Sequence, residues 1–223
     1  MDVERFAAGL LELFDDFPRS EHPHGRRFDD VIAGIPNLAE ENVLALLNLA
    51  ANLLEPGESY VEVGTYYGAS LIGAMRDNEG EFVAIDRFSF DAIEVAGRKL
   101  PAASREGLEA NLRRFGAEGA KILEGDAFEL LEGGALGNRR VGVYYYDGPH
   151  GYEEQVRGLE AIEPWLADDA LLVIDDHDWD EVERATRDYL AAEPRARLVV
   201  DVGGRDKGQP HWWDGVAVLG WNA

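Results

Sequence analysis

The sequence predicts an α/β fold: a mostly parallel sheet of seven strands with helices on both faces and an antiparallel hairpin at one edge. Three observations carry this. Strand-like and helix-like patterns alternate five times, the last two strand-like runs have no helix between them, and the first strand ends in a glycine turn that opens directly into a helix. Parallel neighbours need a crossover, whereas a short polar connection permits only an antiparallel return.

Before the alternation, apolar residues recur at helical spacing from Val3 to Phe14 and from Ala39 to Leu54, separated by the polar stretch Pro18 to Arg27. Residues 1–55 are therefore expected to form a helical extension, available as a lid or an oligomer contact, and residues 56–223 the α/β domain. The repeating units are YVEVGT with SLIGAMRD, EFVAIDRF with EGLEANLRRFG, KILEGDA with FELLEGG, VGVYYYDG with YEEQVRGLEAIEPWL, and ALLVIDD with DEVERATRDYLAA. ARLVVDVGG and GVAVLGW, joined by the polar segment Arg205 to His211, supply the hairpin. Ser89 and Asp91 in RFSFDAIE are candidate caps for a helix after the second strand.

The chain has 223 residues with 46% apolar content, enough for a sizeable core. Its 44 acidic against 21 basic residues give a net charge of −23, which disfavours nucleic acid and anionic membranes and favours neutral or cationic partners. There is no cysteine, so neither a disulfide framework nor a thiolate metal site is available. No apolar run is long enough to span a bilayer and no leader pattern is present, so a soluble cytoplasmic protein is expected.

The chemistry-bearing residues gather at predicted strand ends. In YVEVGTYYGAS the spacing Glu62, Gly64, Gly68 is ExGxxxG, where a dinucleotide site has GxGxxG; the turn suits a nucleoside with a short charged tail better than a pyrophosphate. Asp86 closes EFVAID, where a carboxylate can accept hydrogen bonds from both ribose hydroxyls. Asp126 follows the next strand and would equally cap the helix after it. Asp147 ends VGVYYYD and the pair Asp175 and Asp176 ends LLVIDD. On neighbouring parallel strands these three carboxylates converge and repel, and a hard divalent cation such as Mg²⁺ is the economical offset. Capping of the helix near Asp180 is the competing role for Asp175 or Asp176. His150 and His177 are the histidines beside this edge, whereas His22, His24 and His211 read as surface residues. Tyr144, Tyr145 and Tyr146 read as core, and Trp179, Trp212 and Trp213 as candidate walls of a pocket.

Taken together, VEVGTYYGAS, Asp86, GDAFELL and the closing hairpin resemble the class I S-adenosylmethionine-dependent methyltransferases over roughly residues 40–223. More narrowly, YYYDGPHGYEEQ followed by LLVIDDHDW resembles the metal-dependent branch of macrocin O-methyltransferase, also similar to catechol O-methyltransferase. The resemblance implies a Rossmann-like fold and S-adenosylmethionine as cofactor. It implies that Glu62, Gly64, Thr65, Tyr66, Gly68 and Ser70 hold the methionine part, that Asp86 with Arg87 takes the ribose, and that Asp126 with Ala127 meets the adenine. Asp147 is counted with both the cofactor contacts and the metal ligands, the latter completed by Asp175 and Asp176. Through the DxxH spacing the resemblance implies that His150 is the general base, with His177 the competitor and packing on the following helix or orientation of Asp147 the alternative role for His150; Pro149 before the histidine restricts Gly148 and re-aims the ring. The expected activity is methyl transfer to a hydroxyl of a small sugar- or natural-product-type acceptor, in a possible homo-oligomer built on the helix Phe6 to Phe14. Two other readings stay open: a non-catalytic S-adenosylmethionine-binding regulatory protein and, further back, an NAD-dependent oxidoreductase, disfavoured by the missing GxGxxG and by the terminal hairpin.

Overall fold

The computed structural model describes residues 1–25 and 27–222, and in it the runs that are apolar throughout become strands buried on both faces. Three helices come first: α1 (Val3–Leu13), α2 (Asp29–Gly34) and α3 (Glu41–Asn52). Asp2 caps α1 by accepting from Arg5 N at 2.9 Å. The alternation follows with β1 (Glu58–Val63), α4 (Ala69–Met75) and β2 (Glu81–Asp86). A small antiparallel hairpin, β3 (Ile93–Val95) and β4 (Arg98–Leu100), precedes α5 (Arg105–Phe115). Next come β5 (Lys121–Glu124), α6 (Ala127–Glu132), β6 (Arg140–Tyr146) and α7 (Tyr152–Ile162). The chain then runs through β7 (Leu166–Asp175), α8 (Asp180–Ala192), β8 (Ala196–Val202) and β9 (Val216–Asn222).

Seven strands form one sheet in the order β5-β2-β1-β6-β7-β9-β8. All pair in parallel except β9, which runs antiparallel to both β7 and β8. This is the predicted architecture, including the terminal hairpin. Period-two alternation sends neighbouring residues to opposite layers. Tyr60 and Tyr145 join a core with Phe6 and Leu10 of α1 and Leu44 and Leu47 of α3, so the N-terminal helices share the packing of one sheet face. Val61, Tyr144 and Tyr146 join the other core with Leu159 and Ile162 of α7.

Two segments differ from the expectation. No helix starts at Ser89 or Asp91: the β3–β4 hairpin occupies that stretch, and the helix expected after the second strand is α5, which starts at Arg105 with Ser104 accepting from Gly107 N at 3.2 Å. Helix α2 inside the N-terminal quarter was not foreseen, being only six residues long. No helix among the described residues is long and apolar enough to cross a membrane.

The register positions the site. Val63 lies opposite both Ile85 and Tyr146, and Tyr146 opposite Ile174. The next residue on each chain, Gly64, Asp86, Asp147 and Asp175, therefore lies at one sheet edge. Here β1 sends its connection to β2 on one side while β6 pairs on the other, the switch point where open α/β sheets bind ligands.

Candidate active site

The glycine turn follows from crowding. A Cβ on Gly64 would lie 1.8 Å from the Asp147 carbonyl oxygen, and its φ of +87° is in the left-handed region. Only glycine lets the β1 and β6 backbones approach so closely. Gly68, at φ +86°, is the residue from which α4 starts. Between them Tyr66, at φ +50°, aims its N–H at Asp86 Oδ2 (2.7 Å), while Phe88 N donates to Asp86 Oδ1 (2.6 Å). Each of these oxygens keeps a further lone pair for a ligand hydroxyl.

Glu62 does not open onto the cleft. It has no exposed surface, and three hydroxyls donate to it: Tyr60 at 2.9 Å, Ser70 at 3.2 Å and Thr65. Burial pushes its pKa up to about 7, against the opposing pull of these hydrogen bonds. The Thr65 and Ser70 hydroxyls are thereby committed to bracing the turn.

The acidic cluster lies at the ends of β6 and β7. Ligand-capable atoms of Asp147, His150 and Asp176 come within 4.8 Å of one another. His150 Nε2 is 3.2 Å from Asp176 Oδ2 and 3.7 Å from Asp147 Oδ1, yet this buried nitrogen has no hydrogen-bond partner of acceptable geometry. Exclusion of water raises the pKa of Asp147 well above the carboxylate range, and the charge of Asp175 adds to this. Asp176 is pushed up to about 8 for the same reasons. The group is thus short of positive charge.

Asp175 is not brought into this trio. Its Oδ2 accepts from Tyr145 OH at 2.7 Å, and the side chain that enters is that of Asp176, whose φ of +50° turns it into the cleft. Tyr145 was expected only as core. The signal that identifies its second role is register: Tyr145 lies opposite Val173, which puts Asp175 two residues further along the same face. Neither aspartate caps α8, whose capping residue Trp179 makes no side-chain cap bond.

The remaining candidates divide. Asp126 Oδ1 caps α6 through Phe128 N and Glu129 N at 3.0 and 3.1 Å, and its Oδ2 pairs with exposed Arg87 at 3.1 Å; Ala127 opens that helix, buried. His177 is turned from the cluster: its Nδ1 meets Asp201 Oδ1 at 3.1 Å, on β8. Trp212 is fully buried. Trp213 lies between the guanidinium groups of Arg98 (4.7 Å) and Arg205 (3.9 Å). Trp179 is 49% exposed and packs on His150, ring centroids 4.9 Å apart. Tyr66 contacts Tyr67 and Phe90 beside the Gly64 turn. In the N-terminal segment His22 pairs with Glu41 at 3.0 Å and His24 with Asp15 at 2.8 Å.

Solved structures share this fold. An O-methyltransferase from Bacillus cereus, in complex with SAH, superposes with a TM-score of 0.60 at 15% identity, covering 100% of both chains. The O-methyltransferase TomG from Streptomyces achromogenes, involved in tomaymycin synthesis and in complex with SAM, gives 0.59 at 18% identity over 100% of both. The SAH-bound methyltransferase PaMTH1 from Podospora anserina gives 0.59 at 14% identity, covering 99% of this chain and 95% of its own. No curated protein matches at the sequence level. A family model described as a methyltransferase domain matches residues 61–177, more than half of the chain and the whole segment from the glycine turn to the acidic pair. The chain belongs to this methyltransferase-domain family.

Proposed function

We propose that this protein transfers a methyl group from S-adenosylmethionine to a hydroxyl of a small sugar- or natural-product-type molecule, with assistance from Mg²⁺. The observation that carries the reading is the meeting, at one switch point, of the Gly64 turn and Asp86 with the trio Asp147, His150 and Asp176. Asp86 offers its free lone pairs to the ribose. Gly64 leaves the backbone open beside the methionine part. The donor set fits a hard cation: Asp147 and Asp176 are crowded carboxylates raised by desolvation and by repulsion from Asp175, with an unpartnered histidine nitrogen beside them. A divalent cation held by Asp147 and Asp176 would offset that repulsion and make a bound hydroxyl more acidic. His150 Nε2 accepts the hydroxyl proton as the acceptor oxygen attacks the methyl carbon and the methyl–sulfur bond breaks, its electron pair staying on the sulfur of the departing S-adenosylhomocysteine. His177, engaged with Asp201, has no part in this reading.

The test is calorimetric titration of S-adenosylhomocysteine into chelator-stripped protein, with and without Mg²⁺. We expect micromolar binding that weakens at least about tenfold in Asp86→Ala. His150→Gln should lower kcat by about 10²-fold or more while Mg²⁺ affinity stays within a few-fold. Absence of cofactor binding in either metal state overturns the reading, and loss of Mg²⁺ affinity in His150→Gln makes His150 a ligand instead of the base.

A further inference from the structure

Beside the acidic trio, on the outer side of His150, a hollow of about 430 Å³ is lined by His150, Gly151, Trp179, Asp180 and Glu181. Its character is set by one aromatic and two carboxylates. Trp179 is among the few large apolar side chains left substantially exposed, at 49%, and it is not a loose surface residue. Its ring packs on His150, and Nε1 donates to Asp214 Oδ2 at 3.4 Å. An indole fixed in this way presents a preformed π surface at the mouth of a reaction site.

The charge lining it is negative. No cation lines the hollow among the described residues. Of the cations on neighbouring segments, Arg184 lies over the Tyr152 ring at 4.4 Å and pairs with Glu181 at 3.8 Å, and Arg205 bonds Asp214 at 2.6 Å and covers Trp213, so among the described residues Asp180 is the lining carboxylate that pairs with no cation. Glu181 spends one oxygen on Tyr152 N at 3.1 Å. Asp180, at the first position of α8, is exposed beside the indole. A fixed indole flanked by carboxylates is the arrangement that recognises an ammonium group, which gains from the ring quadrupole and from the negative field together. An anion would meet repulsion from Asp180, whose charge no cation among the described residues offsets.

We propose that Trp179 with Asp180 forms an ammonium subsite, so that the acceptor is a small molecule carrying a protonated or quaternary amine near the hydroxyl to be methylated. This rests on the proposed methyl transfer for the identity of the neighbouring site, but the subsite itself is tested by binding alone. The probes are choline and its uncharged isostere 3,3-dimethylbutan-1-ol, which share shape and a hydroxyl and differ in charge. Each is titrated into the protein with and without saturating S-adenosylhomocysteine and Mg²⁺, following the indole N–H resonance of Trp179, assigned with Trp179→Phe.

We expect choline to shift that resonance and to bind at least about tenfold tighter than the isostere. The preference should fall several-fold in Asp180→Asn and vanish in Trp179→Leu. Cofactor titration on each variant reports whether the fold is intact. Equal binding of the two probes overturns the subsite, as does a choline preference that survives in a folded Trp179→Leu. If the cofactor fails to bind wild-type protein while choline still selects Trp179, the methyl-transfer reading falls and the subsite stands.

Discussion

Glu62 shows what a single buried acid does to this fold. Three hydroxyls surround it, and the carboxyl takes a pKa near 7 against an ordinary 4.5 because water is excluded. Its folded pKa is raised, so its stabilising contribution is full below about 4.5 and is lost as pH climbs through about 7. That window spans about 2.5 pH units, or on the order of 3 kcal/mol at most. Urea unfolding at pH 4.5 and pH 8 should therefore show stability declining with pH in wild type, and a shallower decline in Glu62→Gln; identical slopes would contradict the account. Gly64 is less forgiving. An alanine there meets the Asp147 carbonyl at 1.8 Å in a left-handed conformation, and Gly64→Ala should lose at least about 2 kcal/mol in the same assay, with cofactor affinity reduced. The carboxylates and His150 are legible in the sequence because strand ends and spacing mark them. Which of Asp175 and Asp176 enters the cleft is not, since that depends on one backbone torsion at Asp176, a residue type that tolerates φ near +50° without advertising it.

Among the elements, the β3–β4 hairpin is held from outside. Arg98 on β4 bonds Glu40 at 2.7 Å, donates to the Asn37 and Ala39 carbonyls, and lies on the Trp213 ring, whose other neighbour is Arg205. This links the segment after β2 to α3 and to the β8–β9 connection. Hydrogen exchange gives the check: Arg98→Ala should speed exchange in residues 93–100 by about tenfold, leaving β1 and β6 protected. Uniform acceleration across the sheet would show that the contact holds the whole fold. The hairpin escapes sequence reading because strands of three residues, largely exposed, carry too few positions for a period to register. The long units succeed for the opposite reason: β1, β6 and the second half of β7 are buried on both faces and are rich in apolar residues, with Glu58, Ser59 and Glu62 of β1 as buried polar exceptions.

At the scale of the molecule, a net charge of −23 sets the solution behaviour. Charges more than about 10 Å apart are largely screened in about 0.1 M salt, whereas at about 0.01 M the repulsion reaches about 30 Å, so raising NaCl from about 0.01 to 0.5 M should increase Tm by about 5 °C or more in metal-free protein. A flat or falling Tm would mean that the ion pairs outweigh the repulsion. The overall topology is legible because connection length alone separates crossover from hairpin. The position of β9, however, carries a consequence for the order of events during synthesis. It sits between β7 and β8, so the strand made earlier can join the sheet only through the one made later. On the ribosome, β7 therefore keeps an open hydrogen-bonding edge, and β8 has no docking partner, until residues 216–222 emerge. During that interval the nascent chain offers a bare strand to any other extended segment, and its safeguard against mispairing is the speed with which the final strand arrives.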